Sequence, residues 1–310
     1  MYSWPGSVKG PFPGHSRLAV AVALGAVGVL LVLWALKRRQ RGVEAGKLLL
    51  DHSQTYSVSL LERHEITHNT RLLRFALPHS EQTLGLQVGK HIYVHTKING
   101  KLVVRPYTPV SLIDQKGSFD LIVKVYFKKN SLGYPDGGTM SQYLDSLRPG
   151  DRVQIQGPKG RMEYKGRGVF SFHNGLVIHE ATSVGMIAAG TGVTPMLQLL
   201  RGIFHDEEDH TVVYMVFVNH SERDIIMKEE LDDLQRSFPE QFRIFYVVTK
   251  RSSAWLYGSG RLNAGHLRGH LPPPGKETVI LICGPPGFVK GACQPSLNKL
   301  CYNAGKVYVY

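Results

Sequence analysis

R-P-Y-T-P-V, residues 105–110, sets a permanent cation, two prolines, an aromatic ring and a hydroxyl into one short stretch. It follows a strand-like run at residues 101–104. These groups suit a ligand that is part anion and part flat ring. Arg105 presents a planar charged fork that matches a diphosphate. Tyr107 offers a face along which a ring system can lie, and Thr108 can donate or accept a hydrogen bond there. Pro106 and Pro109 restrict φ and keep the segment extended, so the three groups are positioned in advance. The same six residues also describe a proline-braced turn with an exposed arginine. The choice between the two readings rests on the remainder of the chain.

Outward from this stretch, residues 57–164 read as β-structure. Runs at 91–98 and 119–127 alternate apolar and polar side chains in part, with Gly, Pro, Asn and Asp between runs. One helix is expected at 139–147, T-M-S-Q-Y-L-D-S-L, closed by Pro149 and Gly150. Short strands with one helix predict a small antiparallel β-barrel. Residues 165–183 read as an irregular, glycine-containing connector. From Val184 the period changes: strands at 185–189, 211–218, 242–248, 278–283 and 307–310 alternate with helices at 194–204, 228–238, 263–271 and 287–300. Such alternation predicts a parallel α/β sheet of Rossmann type, with ligands at the carboxyl ends of its strands. Two motifs sit at those ends. G-M-I-A-A-G-T-G-V-T-P-M, residues 185–196, runs from strand through a turn into a helix, where Gly190 and Gly192 let the backbone approach a pyrophosphate. C-G-P-P-G-F, residues 283–288, follows the strand 278–283.

In order and with near-constant spacing, these motifs resemble those of the NADH–cytochrome b5 reductases, a branch of the ferredoxin–NADP reductase-like flavoenzymes. The resemblance runs from about residue 57 to 310. It also rests on H-N-T-R-L-L-R-F-A-L (68–77), L-G-L-Q-V-G-K-H-I-Y (84–93), I-V-K-V-Y-F (122–127) and G-G-T-M-S (137–141). It implies an FAD-binding antiparallel β-barrel followed by an α/β NAD-binding domain. Hydride would pass from NADH to FAD, and single electrons from there to cytochrome b5 or a similar acidic haem protein. By residue, the resemblance gives Arg105, Pro106, Tyr107, Thr108, Val123, Lys124, Phe127, Gly138, Thr139, Met140, Ser141 and Thr194 to FAD. It gives Gly190, Thr191, Gly192, Thr249, Cys283, Gly284 and Pro285 to the nicotinamide nucleotide. Lys124 and Cys283 count as catalytic, the thiol ordering the hydride geometry rather than attacking. The glycine-led helix start at 137–141 also suits a diphosphate on physical grounds, because free N–H groups and the helix dipole attract an anion. Three positions depart from the family pattern. Thr139 stands where Lys is usual and Ala189 where Gly is usual. Thr249, followed by Lys250 and Arg251, stands where an acid usually bonds the adenosine ribose. A hydroxyl and two cations there predict a relaxed or reversed preference for NADH over NADPH.

The whole chain sets further bounds. Its 310 residues, 43% hydrophobic and 20% charged, accommodate two ordinary domains. The expected division is a tail (1–17), a transmembrane anchor (18–36), a basic linker (37–56), the FAD domain (57–165), the connector (166–183) and the nucleotide domain (184–310). Residues 18–36 are 19 positions without a charge. At about 1.5 Å per residue they reach across a hydrocarbon core roughly 30 Å thick. K-R-R-Q-R follows at 37–41, and the positive-inside rule keeps those cations in the cytosol. This predicts a single-pass anchor in the endoplasmic reticulum or mitochondrial outer membrane, with a cytosolic catalytic body. Glycosylation of the sequon Asn219-His220-Ser221 would report the opposite topology. Six of the 37 basic side chains lie in residues 1–41 with no acid, leaving 31 against 24 acidic, or +7, for the remainder. A basic body suits an acidic partner, with Lys124, Lys128 and Lys129 as candidate contacts. Basic and aromatic residues do not interleave on one element, so nucleic acid is not an expected partner. Three cysteines without metal-ligand spacing point to reduced thiols, and the scattered histidines to no metal. Two alternatives stay open: the same fold with another electron acceptor or an NADPH donor, and a membrane-tethered scaffold whose nucleotide site has decayed.

Overall fold

Alternating apolar and polar side chains build the first lobe of the protein. The structure is a computed structural model that describes residues 46–128 and 135–310. The expected span at 18–36 and Lys129 lie outside them. β1 (Tyr56–Thr67), β2 (Thr70–Ala76), β3 (His91–Ile98), β4 (Lys101–Tyr107), β5 (Ser118–Lys124) and β6 (Arg152–Lys159) form one antiparallel sheet in the order β4-β3-β6-β1-β2-β5. Asn99 and Gly100 join β3 to β4 with φ of 51° and 75°, the conformation a two-residue hairpin needs. Leu60, Leu73, Phe75, Ile92, Phe119, Leu121 and Ile155 point inward and pack with Met140 and Leu144 of α1 (Thr139–Ser146). β4 and β5 are the sheet's two edges, and α1 packs against both. The two edges of the expected barrel therefore meet through a helix rather than a ladder. The edge position also explains how Pro106, which has no N–H, sits within β4.

Residues 165–183 are not irregular, contrary to the sequence reading. β7 (Met162–Gly166), β8 (Val169–Phe172) and β9 (Val177–Glu180) form a separate three-stranded antiparallel sheet. Tyr164, Phe170 and Phe172 from it are buried in the second lobe's core.

In the second lobe β10 (Ser183–Ala189), α2 (Val193–His205), β11 (Val212–Asn219), α3 (Lys228–Ser237) and β12 (Phe242–Val248) follow the expected alternation. Next come β13 (Gly258–Ser259), α4 (Ala264–Leu267), β14 (Thr278–Cys283), α5 (Pro286–Phe288), a π-helical turn (Val289–Cys293), α6 (Gln294–Lys299) and β15 (Val307–Val309). The six strands are parallel in the order β13-β12-β11-β10-β14-β15. Both faces are covered, which accounts for the near-continuous apolar runs in β10, β11 and β14. One face packs on α2 and α3, the other on Leu267, Val289, Cys293 and Leu297. Among the described residues no helix is long and apolar enough to cross a membrane.

α2 carries the contact between the lobes. Nine of its 13 residues are buried, as expected of a helix that is apolar all round. Val193, Met196, Leu197 and Leu200 share one core with Val88, Val110 and Ile122 of the first lobe. At Gly202 a Cβ would stand 3.0 Å from Val88 Cγ2, so the small residue sets how closely the helix lies on the first lobe.

Candidate functional site

The R-P-Y-T-P-V stretch begins in edge strand β4 and leaves it after Tyr107. Register places Arg105 opposite Val94 and Tyr107 opposite Ile92. Arg105 is exposed, its guanidinium donating to the Val104 carbonyl at 2.7 Å. Tyr107 and Thr108 are half-buried, and burial pushes the Tyr107 phenol above its ordinary pKa. Across the seam, β5 ends in Val123 and Lys124. Val123 is core, 2% exposed, so only its backbone faces outward. Lys124 is drawn to Asp224 of the second lobe, Nζ to Oδ1 3.4 Å. Phe127 lies half-buried beyond it.

α1 starts against the same seam. Gly138 N donates to the Tyr126 carbonyl at 2.8 Å, and a Cβ on Gly138 would lie 2.4 Å from Ser141 Oγ. Ser141 is buried; its hydroxyl donates to the Gly138 carbonyl at 3.0 Å and accepts from Tyr126 N at 3.2 Å. Met140 is core, whereas Thr139 is exposed. No side chain caps this helix start and no acid stands in its first turn, so its N–H groups are available to an anion.

The second lobe brings three strand ends together. The turn Gly190–Gly192 links β10 to α2, and Gly190 adopts φ +54° with open space where a Cβ would be. A Cβ on Gly192 would fall 2.1 Å from the Cys283 carbonyl oxygen, so only glycine lets this turn lie on the end of β14. Thr194 is buried, its hydroxyl donating to the Thr191 carbonyl at 3.1 Å. α2, like α1, has no side-chain cap and no acid in its first turn. A Cβ on Gly284 would meet Phe288 Cδ1 at 2.7 Å and Ala189 Cβ at 3.0 Å. Pro285 is exposed and caps α5. Burial pushes the Cys283 thiol up to about 12, so it is a neutral thiol at physiological pH.

Sequence reasoning passed over two residues as part of the site, Asn219 at the end of β11 and Asp224 in the turn after it. Asn219 closes β11, only 5% exposed, and neither atom of its side-chain amide has a partner. It is the residue after Val218, which pairs with Ala189 of β10, so it stands beside the Gly190 turn. This amide is also the acceptor of the Asn219-His220-Ser221 sequon, and the fold buries it. Thr249, just past β12, is exposed, and its hydroxyl donates to the His220 carbonyl at 3.1 Å; Lys250 and Arg251 are exposed beside it. Asp224, 6% exposed, accepts from Ser221 as well as Lys124. The signals for Asn219 and Asp224 were a lone polar residue ending an apolar strand and an acid in a short polar loop.

The two halves face one another, since the Gly190–Gly192 turn packs against β5. An uncapped helix start beside an edge strand that ends in Tyr107, opposite a second glycine-led helix start with an orphaned amide, fits one flavin and one nicotinamide nucleotide.

Comparison with known proteins agrees. Residues 57–164 match the oxidoreductase FAD-binding domain and residues 186–294 the oxidoreductase NAD-binding domain. The chain is 45% identical to NADH-cytochrome b5 reductase 2 of Xenopus laevis over 93% of its own length and 99% of the relative's. It is 44% identical to NADH-cytochrome b5 reductase 1 of Homo sapiens, over 92% of each. Among solved structures, the cytochrome b5 reductase domain of Ulva prolifera nitrate reductase superposes with a TM-score of 0.81 at 34% identity, covering 84% of this chain and 99% of that one. The chain belongs to the NADH–cytochrome b5 reductase family of FAD- and NAD-binding oxidoreductases.

Proposed function

We propose that FAD binds along the β4–β5 seam and the start of α1, that the nicotinamide nucleotide binds across the carboxyl ends of β10, β11, β12 and β14, and that cytochrome b5 or a similar acidic haem protein takes the electrons. FAD when bound accepts a hydride from the nicotinamide and gives up its electrons one at a time. Arg105 and the free N–H groups of Thr139 and Met140 hold the diphosphate, while Tyr107 lies along the ring and Thr108 bonds to it. Pro106, the Val123 backbone, Lys124, Phe127, Gly138, Ser141 and Thr194 complete that pocket. Gly190, Thr191 and Gly192 approach the nucleotide pyrophosphate, and Gly284 and Pro285 border the nicotinamide. Cys283 fills space as a neutral thiol and orders the approach of the two rings. The contact between the Gly190–Gly192 turn and β5 carries this reading, because it supports donor and acceptor lying side by side.

Thr249, Lys250 and Arg251 widen the donor to NADPH, since a hydroxyl and two cations do not repel a 2′-phosphate, and the Glu222 carboxylate alongside is engaged by Ser252 N and Oγ. Lys128 is exposed near the flavin edge and suits an acidic partner; Lys124 is committed to Asp224. Residues 18–36 anchor the chain in the endoplasmic reticulum or mitochondrial outer membrane with the two lobes in the cytosol, supported by the uncharged run and the cations after it. The purified full chain should be yellow and should bleach under anaerobic titration with NADH and with NADPH, then reoxidise on adding cytochrome b5. Bleaching by NADH alone would remove the argument from Thr249. A colourless chain that takes up no FAD would remove the whole reading.

A further inference from the structure

We propose that Gln198 is a positioning residue for hydride transfer, holding the R-P-Y-T-P-V segment at a fixed distance from the nucleotide turn that begins its own helix. The inference rests on the functional reading above. Gln198 lies one turn past Thr194 on α2 and is 2% exposed. Its Nε2 donates to the carbonyls of Pro109 and Lys90, both at 3.1 Å, and its Oε1 accepts from Gly89 N at 2.7 Å. Two acceptors at one end and one donor at the other fix which way the amide points, and only an amide of this length satisfies all three. A carboxylate would set its lone pairs against two carbonyls. A thioether of similar volume would leave three backbone groups bare, the bonds to Gly89 and Pro109 being buried and that to Lys90 part-buried.

Arg201, three residues on, repeats the grip. Its Nη1 donates to the Val110 carbonyl at 2.5 Å, while Nε and Nη2 hold Glu230 of α3 at 2.9 and 2.6 Å. From the other side, Val110 N donates to the Asp120 carbonyl of β5 at 2.9 Å. The two carbonyls that directly follow Thr108 therefore both end on α2, and the segment has no slack between that helix and β5. The start of α2 is the nucleotide turn, so any shift at Gln198 changes the separation of the two reacting rings. Displacement of reacting groups by about 1 Å can lower a rate by about 100-fold.

The test uses the full chain loaded with FAD, with Gln198→Met and Gln198→Glu, and Arg201→Lys as a softer change. Anaerobic stopped-flow should show bound flavin bleaching about 10- to 100-fold more slowly with NADH in both Gln198 variants. Half-saturation by NADH should stay within about threefold, because the nucleotide turn itself is unaltered. The deuterium isotope effect with NADH labelled at C4 and the visible circular dichroism of the flavin should both change, and Arg201→Lys should move them less in the same direction. Loaded variants that bleach at the wild-type rate with an unaltered isotope effect, and differ only in Tm, would overturn the proposal. If neither Gln198 variant folds, Arg201→Lys decides: wild-type rate and isotope effect at a lowered Tm would overturn it. A wild-type chain that NADH does not bleach would instead remove the functional reading on which the inference rests.

Discussion

Asp224 holds one carboxylate against groups from both lobes. Burial favours its protonated form, but the bond from Ser221 and the charges of Lys124 and His68 outweigh that and hold its pKa below the usual carboxylate value. A depressed carboxyl contributes stability above its unfolded pKa and loses it as pH falls through the folded one. Asp224→Asn keeps an acceptor for Ser221 but leaves Lys124, 16% exposed, without a counter-charge. It should cost about 1–2 kcal/mol in urea unfolding at pH 7, and Lys124→Met in the same chain should recover part of it. A double variant no more stable than Asp224→Asn alone would show that the pair is not the cause. Asn219 makes the opposite case. Its unpartnered amide costs roughly 1–3 kcal/mol without a ligand, so Asn219→Val should raise Tm while weakening NADH binding. A fall in both would mean that the amide serves the fold. Side chains such as Arg105 and Tyr107 were legible because their chemistry is compressed into six adjacent positions. Asp224 and Lys124 are 100 residues apart, and no local pattern joins them.

At the scale of elements, the turn Gly190–Gly192 shows two different demands on glycine. Gly190 has positive φ in open space, so Gly190→Ala should cost only about 1–2 kcal/mol, the price of the left-handed conformation. Gly192 has ordinary φ, but its added Cβ would overlap the Cys283 carbonyl, a backbone group that cannot rotate away. Gly192→Ala should therefore separate the β10 turn from β14 and abolish NADH binding, as read by titration calorimetry, while Gly190→Ala only weakens it. Equal effects would refute the steric argument. Most of the parallel strands were legible because burial on both faces makes them largely apolar runs, and β12 and β14 fall where the pattern placed them, whereas the two-residue β13, Gly-Ser, offers no such run. β8 and β9 were not legible: Asn174-Gly175 at their junction is a hairpin pair, but it sits in a longer loop with a third positive φ at His173, and strands of four residues leave little alternation to read. The helix expected at 263–271 shrinks to Ala264–Leu267, between its Asn263 cap and the positive φ of Gly269. The one expected at 287–300 is interrupted by the π-helical turn, which no residue type announces.

Across the whole molecule, titratable groups that the fold keeps neutral set its alkaline limit. Burial raises Cys283 and Cys293 from 9.0 to about 12, and Tyr302 from 10.0 to about 12. It also raises Tyr107, Tyr164 and Tyr246, the last two assisted by hydrogen bonds to Asp209 and Asp232. These groups lie in both lobes and in separate clusters, so their effect belongs to the whole fold rather than to one site. In the unfolded chain the thiols ionise near 9 and the phenols near 10, while the folded chain keeps its protons. The unfolded state then binds fewer protons, and stability falls as pH rises through that range. The two thiols alone account for a loss of at most about 2 kcal/mol between pH 9 and 10, with the phenols adding to it above pH 10. Calorimetric Tm should accordingly hold level from pH 7 to 8.5 and decline from pH 9. The double variant Cys283→Ser/Cys293→Ser should delay the decline to about pH 10, where the phenols take over. A Tm that stays flat to pH 10 in the unaltered chain would mean that these thiols reach solvent and that the cleft beside Cys283 is open, which would also count against the proposed role of a neutral Cys283 thiol.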